Sequence, residues 1–306
     1  MKSQRYTEEE KQHFLAMAEA MQKLNESVPV SGKRYRLPLE GRDAGMVYYS
    51  APSAHAPLIL GFHGGGFLFG GCALNDAMWS AVARGLDMNV ASIGYRKSPE
   101  HRFRAALEDG FDALQYLRAH AEDFGFDPRR VFAMGCSAGG NLAATLALYI
   151  REKGAEQIQG QIMIYPVLDL HTDPSEKGDG SLAQPLQYLF NDLHFRPEDA
   201  ILPILSPVYA EREELTGLPR AVIVAADHDS LKAEARRYAE MLRGAGVPAE
   251  LLLAEDMPHG FFEAGFGQIS DEEIEILGPE IAQKVKDGSA ARTSERLLAE
   301  IRELCG

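Results

Sequence analysis

The fold is decided by the stretch Arg130-Val131-Phe132-Ala133-Met134-Gly135-Cys136-Ser137-Ala138-Gly139-Gly140-Asn141-Leu142. Its apolar first half predicts a buried strand, and the helical spacing of Leu142, Leu146 and Ile150 predicts a helix directly after it. Gly-x-Ser-x-Gly lies between the two, where small residues let a very tight turn pass without Cβ clashes. This pattern predicts a nucleophile elbow that exposes Ser137 at the end of a sheet. The free amides of the following helix, which begins at Ala138, would point at any oxygen above the serine.

Strand-length apolar runs alternate with helical patterns on both sides of this stretch. The runs cover residues 57–62, 89–95, 130–136, 161–167, 220–226 and 250–255, and the helical patterns lie near 75–87, 104–121, 141–153 and 230–243. Alternation of this kind requires right-handed crossovers, so it predicts an α/β fold with a mostly parallel sheet covered on both faces. Residues 35–40 and 46–51, separated by five residues, predict an antiparallel hairpin at one edge of that sheet.

The remaining segments predict one domain with helical additions. An amphipathic helix is expected over 8–24, with Thr7 and Glu10 spaced as a capping box, and a final helix over 293–304. Residues 171–207 form too long a connection for a plain loop and are interpreted as an inserted lid. Residues 267–289 are an acidic insertion. Three roles are open for it: a part of the acyl pocket, a dimer contact, or no role in function.

Composition narrows the possible partners. The 306 residues carry a formal net charge of −14, which argues against nucleic acid and anionic membranes. Three scattered cysteines, Cys72, Cys136 and Cys305, indicate neither a disulfide framework nor a metal site. The N-terminus lacks the apolar core of a signal peptide, and no apolar run reaches the ~20 residues of a membrane span. We therefore expect a cytoplasmic protein.

Reactive side chains follow three of the predicted strands. Ligands of an open parallel sheet bind outside the carboxyl ends of its strands, so the loops at those ends matter most. His63-Gly64-Gly65-Gly66-Phe67 follows the first run, and its glycines can turn their amides toward an oxygen. Asp227-His228-Asp229-Ser230-Leu231 follows a later run, although an aspartate there is most often a helix cap. Met257-Pro258-His259-Gly260 follows the last one.

The order Ser, Asp, His at the ends of successive strands favours a catalytic triad. A serine hydroxyl needs a neutral imidazole to take its proton, and a carboxylate to hold that imidazole in the right tautomer. Ser137, His259 and Asp229 are the candidates. Activity should then rise with pH as His259 loses its proton. The oxyanion formed from an ester carbonyl would accept hydrogen bonds from the amides of Gly65, Gly66 and Ala138.

These motifs together resemble the hormone-sensitive-lipase-like branch of the α/β-hydrolase superfamily, bacterial family IV. Five blocks match in order, from about residue 57 to 262: His63–Phe67, Tyr95–Ala106, Gly135–Asn141, Tyr165–Asp169 and His259–Phe261. The resemblance implies a serine carboxylesterase without a cofactor, with a cap built from residues 1–30 and 171–207. It also favours Asp229 over Asp227, because Asp229-Ser230-Leu231 matches the family's Asp-Pro-Leu.

The resemblance is incomplete at the residue before the nucleophile. The family usually has an acidic residue there, and this chain has Cys136, whose side chain we expect to point away from substrate as a small buried filler. The predicted substrate-binding side chains are Phe67, Tyr188, Phe190 and Phe261.

Three functions remain open on these grounds. The first is hydrolysis of short-chain acyl esters, especially acetyl esters, and the second is an amidase or deacetylase with the same triad. The third is a non-catalytic small-molecule receptor, against which the intact His259 motif argues. Metal catalysis is not expected, since His228 between two aspartates is the one candidate cluster and its neighbours alternate in direction. A homodimer is left open.

Overall fold

One eight-stranded sheet organises the chain in the computed structural model, which describes residues 5–267 and 270–305. The strand order is β1-β2-β4-β3-β5-β6-β7-β8. β2 pairs antiparallel with both of its neighbours, β1 and β4, and all the other neighbouring strands pair in parallel. This confirms the predicted α/β class and the hairpin at the sheet edge. The strands are β1 Lys33–Leu39, β2 Arg42–Tyr49, β3 Leu58–Phe62, β4 Asn89–Gly94, β5 Val131–Cys136, β6 Gly160–Ile164, β7 Arg220–His228 and β8 Ala249–Pro258.

Helices cover both faces of the sheet. They are α1 Glu8–Ser27, α2 Asp76–Leu86, α3 Ala105–Ala119, α4 Ala121–Phe124, α5 Ala138–Glu152, α6 Gln184–His194, α7 Arg212–Leu215, α8 Lys232–Gly244, α9 Phe261–Phe266, α10 Asp271–Leu277, α11 Pro279–Lys286 and α12 Ser289–Cys305. Within the described residues, no helix combines the length and the apolar character that crossing a bilayer requires.

Two large apolar cores result from this layering. On one face, side chains of α3, α5 and α8 such as Leu114, Leu146 and Tyr238 pack on the sheet. On the other face the packing residues come from α2, α9 and α12, among them Trp79 and Phe262. Because both faces are covered, β3 and β5 are buried along their whole length, which explains why their sequences are continuously apolar.

The structure corrects the predicted hairpin loop and the end of β6. Leu39 pairs with Arg42, so the turn has two residues rather than five, and Gly41 provides it with a φ of +73°. The run predicted over 161–167 ends as a strand at Ile164. Tyr165 has a φ of +35° and Pro166 has no amide to donate, so the ladder stops there.

The segments outside the sheet layers form a third apolar cluster above the sheet ends. Met17 of α1, Leu186 and Phe190 of α6 and Ile276 of α10 contribute to it, together with Phe69. Thr7 and Glu10 form the predicted capping box of α1. Residues 1–4 of the predicted cap and residues 268–269 of the predicted acidic insertion lie outside the described residues.

Candidate active site

The polar side chains predicted from the sequence each stand one residue beyond a strand. His63 follows β3, Ser137 follows β5, Asp229 follows β7 and His259 follows β8. Because these strands are parallel, their carboxyl ends lie at one edge of the sheet. The topology therefore brings four residues that are far apart in sequence to the same edge.

Ser137, His259 and Asp229 form one hydrogen-bonded chain there. His259 Nε2 lies 2.9 Å from Ser137 Oγ, and His259 Nδ1 lies 2.6 Å from Asp229 Oδ2. The imidazole and the carboxylate are both buried, at 2% and 4% exposure. A buried carboxylate on Nδ1 selects the tautomer whose free Nε2 can accept the serine proton. The arrangement is suited to activating the hydroxyl as a nucleophile.

Asp229 and Asp227 face different environments. Asp229 points into the site, while Asp227 points outward and lies 2.9 Å from Lys232 Nζ. Hydrogen bonding to that ammonium lowers the pKa of Asp227. α8 begins at Lys232 with Leu231 as its N-cap, but Asp229 still accepts the Leu231 amide through Oδ1 at 3.0 Å. Asp229 therefore supports the entry to the helix through one carboxylate oxygen and faces His259 through the other.

The turn that carries Ser137 has the strained geometry expected of its sequence. Ser137 adopts φ 55° and ψ −116°, which is unusual for a residue with a side chain. A Cβ on Gly135 would stand 2.2 Å from the carbonyl oxygen of Gly139, and a Cβ on Gly139 would stand 2.1 Å from that of Phe62. Neither contact is possible, so both glycines are required for the turn from β5 into α5 to pack this closely against β3.

The glycine loop after β3 presents free amides beside the serine. The amides of Gly65 and Gly66 donate to no backbone acceptor among the described residues, and both glycines line the cavity next to Ser137. Ala138 is the first residue of α5, where an amide has no partner within the helix. These three amides are the candidate donors to an oxyanion, and Gly65 and Gly66 reach their positions with φ values of +110° and +59°.

A mostly apolar cavity of about 140 Å³ opens over Ser137. Its wall is formed by the glycine loop, by α6 and by α10, and includes Phe67, Phe190, Leu182, Ile276, Leu277 and Met21. The acidic insertion therefore contributes to the cavity wall. Among the residues described, no group of three or more His, Cys, Asp or Glu side chains is close enough together to hold a metal ion.

Comparisons with known proteins agree with this fold. Residues 59–263 fit a family described as having the alpha/beta hydrolase fold. The chain belongs to this family. Esterase LipI of Mycobacterium tuberculosis is 35% identical over 212 residues, which cover 68% of this chain and 66% of that protein. An ethyl acetate hydrolase of Pseudomonas putida is 32% identical over 222 residues, 70% of this chain and 69% of that one.

Solved structures give the same result for the fold of this chain. An esterase from Pyrobaculum calidifontis superposes with a TM-score of 0.75 at 28% identity, over 95% of this chain and 96% of the other. The first curated relatives are matched over 66% of their own length, slightly less than two thirds.

Two of the predicted substrate-binding residues lie away from the cavity. Phe67 and Phe190 line the cavity, but Tyr188 and Phe261 do not. Tyr188 is on the outer side of α6, where its ring packs under the Arg5 guanidinium and its hydroxyl donates to Asp173. Phe261 is fully buried below the site, 5.4 Å from the Tyr165 ring, because α9 turns its first residue into the core.

Several residues that support the site were not predicted. Tyr95 donates to the His63 carbonyl oxygen at 2.8 Å and stacks on the His63 ring, and Lys97 donates to the Gly70 carbonyl oxygen. Burial lowers the pKa of His63 to about 3, so this ring is neutral. Ser181 accepts the His259 amide at 2.9 Å. Ser181 belongs to the insertion after β6, and only the folded chain reveals this contact.

Proposed function

We propose that the protein is a serine carboxylic ester hydrolase. The observation that carries the proposal is the position of His259, which bridges the Ser137 hydroxyl and the buried Asp229 carboxylate at the mouth of the cavity. The named esterases among the similar proteins support the same reaction class.

The chemistry follows from these contacts. Ser137 Oγ attacks the ester carbonyl carbon while His259 Nε2 takes the hydroxyl proton, and the carbonyl oxygen becomes an anion. The amides of Gly65, Gly66 and Ala138 are the proposed donors to that anion, and losing one such donor typically costs ~3 kcal/mol. Collapse of the intermediate expels the alcohol, which receives the proton from His259. Water, deprotonated by the same imidazole, then releases the acid and restores Ser137.

We further propose that the preferred acyl groups are short, with acetyl as the first candidate. The cavity of about 140 Å³ is comparable to one that holds a benzene ring, and Phe190 closes tightly over Gly66. The ethyl acetate hydrolase among the relatives supports a small ester. We also propose that residues 5–27 and 171–207 act as the cap over this substrate.

The cellular context is part of the same proposal. Cys72, Cys136 and Cys305 are free and buried, which supports a reducing compartment such as the cytoplasm. The proposed partner is a small-molecule ester.

The deciding experiment compares acetyl, butyryl and octanoyl esters with an N-acetyl arylamine. We expect acetyl ester to be cleaved fastest, and Ser137→Ala to lower kcat by about 10⁶-fold while leaving the melting temperature intact. A preference for the amide would replace the ester assignment with an amidase or deacetylase. Failure of a fluorophosphonate to label Ser137 would favour a binding protein.

A further inference from the structure

A second carboxyl group lies beside the nucleophile, and the reaction outlined above does not use it. Glu263 is on α9, four residues after His259, and lines the cavity together with Ser137. A Cβ on Gly64 would stand 3.0 Å from Glu263 Oε1 and 3.8 Å from Ser137 Cβ. The carboxyl group therefore lies against the backbone that connects β3 to the two glycine amides.

The surroundings of this carboxyl group do not favour a charge. Glu263 Oε2 is buried and has no hydrogen-bond partner among the residues that the structure describes. Burial raises the pKa of Glu263, and it outweighs the hydrogen bonds from the backbone amide of Glu263 and from the buried neutral thiol of Cys136 on β5, which lower that pKa. The other neighbouring side chains on this side are uncharged. Met78 of α2 contacts Cys136 Sγ, and Ser294 of α12 contacts carbonyl groups of α9.

The charged side chains that line this cavity with Glu263, among the described residues, do not compensate a charge on it. Glu273 of α10 lines the same cavity, and its negative charge repels a charge on Glu263. Lys177 also lines the cavity, but its ammonium is 2.8 Å from Glu234 Oε2 and is held in that ion pair. On the remaining side stands His259, which is engaged with Asp229 and Ser137.

We propose that Glu263 is a positioning residue. Its carboxyl group must carry a proton for the glycine loop to support catalysis, and the ionisation of this group sets the alkaline limit of activity. This inference rests on the proposed ester hydrolysis. In its neutral form the carboxyl group packs against Gly64 and keeps the loop close to the elbow.

The ionised form opposes the reaction for an electrostatic reason. Attack on the ester creates a negative oxygen beside the same loop, and a second negative charge nearby raises the energy of that transition state. Burial, reinforced by the charge on Glu273, raises the pKa of Glu263 to about 8. Glu263 therefore loses its proton at pH values at which ester hydrolysis can be measured.

The test is the pH profile of kcat for an acetyl ester, corrected for spontaneous hydrolysis, in the wild-type chain and three variants. Wild-type kcat should fall about tenfold between pH 7 and pH 9, as one ionisation near pH 8 requires. Glu263→Gln keeps the shape of the side chain but cannot ionise, so its profile should stay level over that range.

Two variants on α10 act as a matched pair. Glu273→Gln removes the repelling charge, so the alkaline fall should begin at lower pH than in the wild type. Glu272→Gln removes an exposed charge from the same helix and should leave the position of the fall unchanged.

The outcomes separate this inference from the proposed function. Ester hydrolysis with the same alkaline fall in wild type and Glu263→Gln overturns the role of Glu263 and leaves the esterase intact. Absence of any ester hydrolysis overturns the esterase, and the role of Glu263 with it. A level profile in Glu263→Gln, combined with an earlier fall in Glu273→Gln, supports the inference.

Discussion

Two regions of the molecule meet at the cavity, and they are held together in different ways. The strand-end region consists of the loops that begin at His63, Ser137, Asp229 and His259. The covering region consists of residues 5–27, 171–207 and 271–277. The first depends on buried hydrogen bonds such as the 2.6 Å contact between His259 and Asp229. The second is fastened largely by an apolar cluster and by polar contacts nearer the surface.

Apart from the buried ion pair between Lys177 and Glu234, the polar contacts that fasten the covering region lie near the surface and are individually weak. Arg5 pairs with Asp173 at 2.9 Å and Tyr6 donates to Asp192 at 2.8 Å, and the Arg5 and Asp173 side chains are 38% and 30% exposed. Exposed pairs of this kind contribute ~0–1 kcal/mol each. A buried charged hydrogen bond costs several kcal/mol when one partner is removed. We infer that the strand-end region fixes the chemistry, while the covering region can vary and so adjust which substrates are accepted.

After the loss of Ser137 itself, the largest expected effect distinguishes Asp229 of the strand-end region from Asp227 at the end of β7. Asp229→Asn should lower kcat by about 10⁴-fold, because the amide no longer selects the productive tautomer of His259. Asp227→Asn is its control and should change kcat less than about fivefold, since it removes only a surface pair with Lys232. Steady-state kinetics on an acetyl ester checks both. Equal losses in the two variants would contradict the role given to Asp229.

The strand-end region was largely predictable because its signals are local in sequence. An apolar run followed at once by Gly-x-Ser-x-Gly, or by His-Gly-Gly-Gly, records both the strand and the residue at its end. Parallel strands then bring those ends together regardless of the residues between them. The contact between Asp229 and His259 was also predictable, because only His228 separates the two aspartates and only Asp229-Ser230-Leu231 fits the family pattern.

The covering region was predictable only as extra chain. Its length marked residues 171–207 as an insertion, yet nothing in the local sequence shows that Ser181 would accept the His259 amide or that Tyr188 would face Arg5. Such contacts depend on how remote segments dock. The same is true of Glu263, whose position against Gly64 depends on the meeting of α9 with the loop after β3.

An intermediate effect is expected from the covering region at Phe190. The ring of this residue lies against Gly66, so Phe190→Ala should lengthen the acyl site. We expect the ratio of kcat/KM for octanoyl over acetyl ester to rise on the order of tenfold, as apolar pocket contacts allow. Tyr188→Phe, on the outer side of the same helix, is the matched control and should leave the ratio unchanged. An unchanged ratio in Phe190→Ala would mean that the covering region does not select the acyl chain.

The smallest effect concerns stability and falls where the two regions meet, at Glu263 of α9 and Glu273 of α10. Burial raises the pKa of Glu263 from its ordinary 4.5 to about 8, so between these pH values the folded chain keeps a proton that the unfolded chain releases. The contribution of Glu263 to stability is therefore fully present below pH 4.5 and is lost as pH rises through 8.

Glu263→Gln cannot lose a proton, so the melting temperature of the variant minus that of the wild type should increase from pH 5 to pH 8, as calorimetry can measure. Glu272→Gln, an exposed change on α10, should show no such trend. A difference in melting temperature between Glu263→Gln and the wild type that stays constant with pH would mean that water reaches this carboxyl group. The covering region would then not seal the nucleophile from solvent at this point.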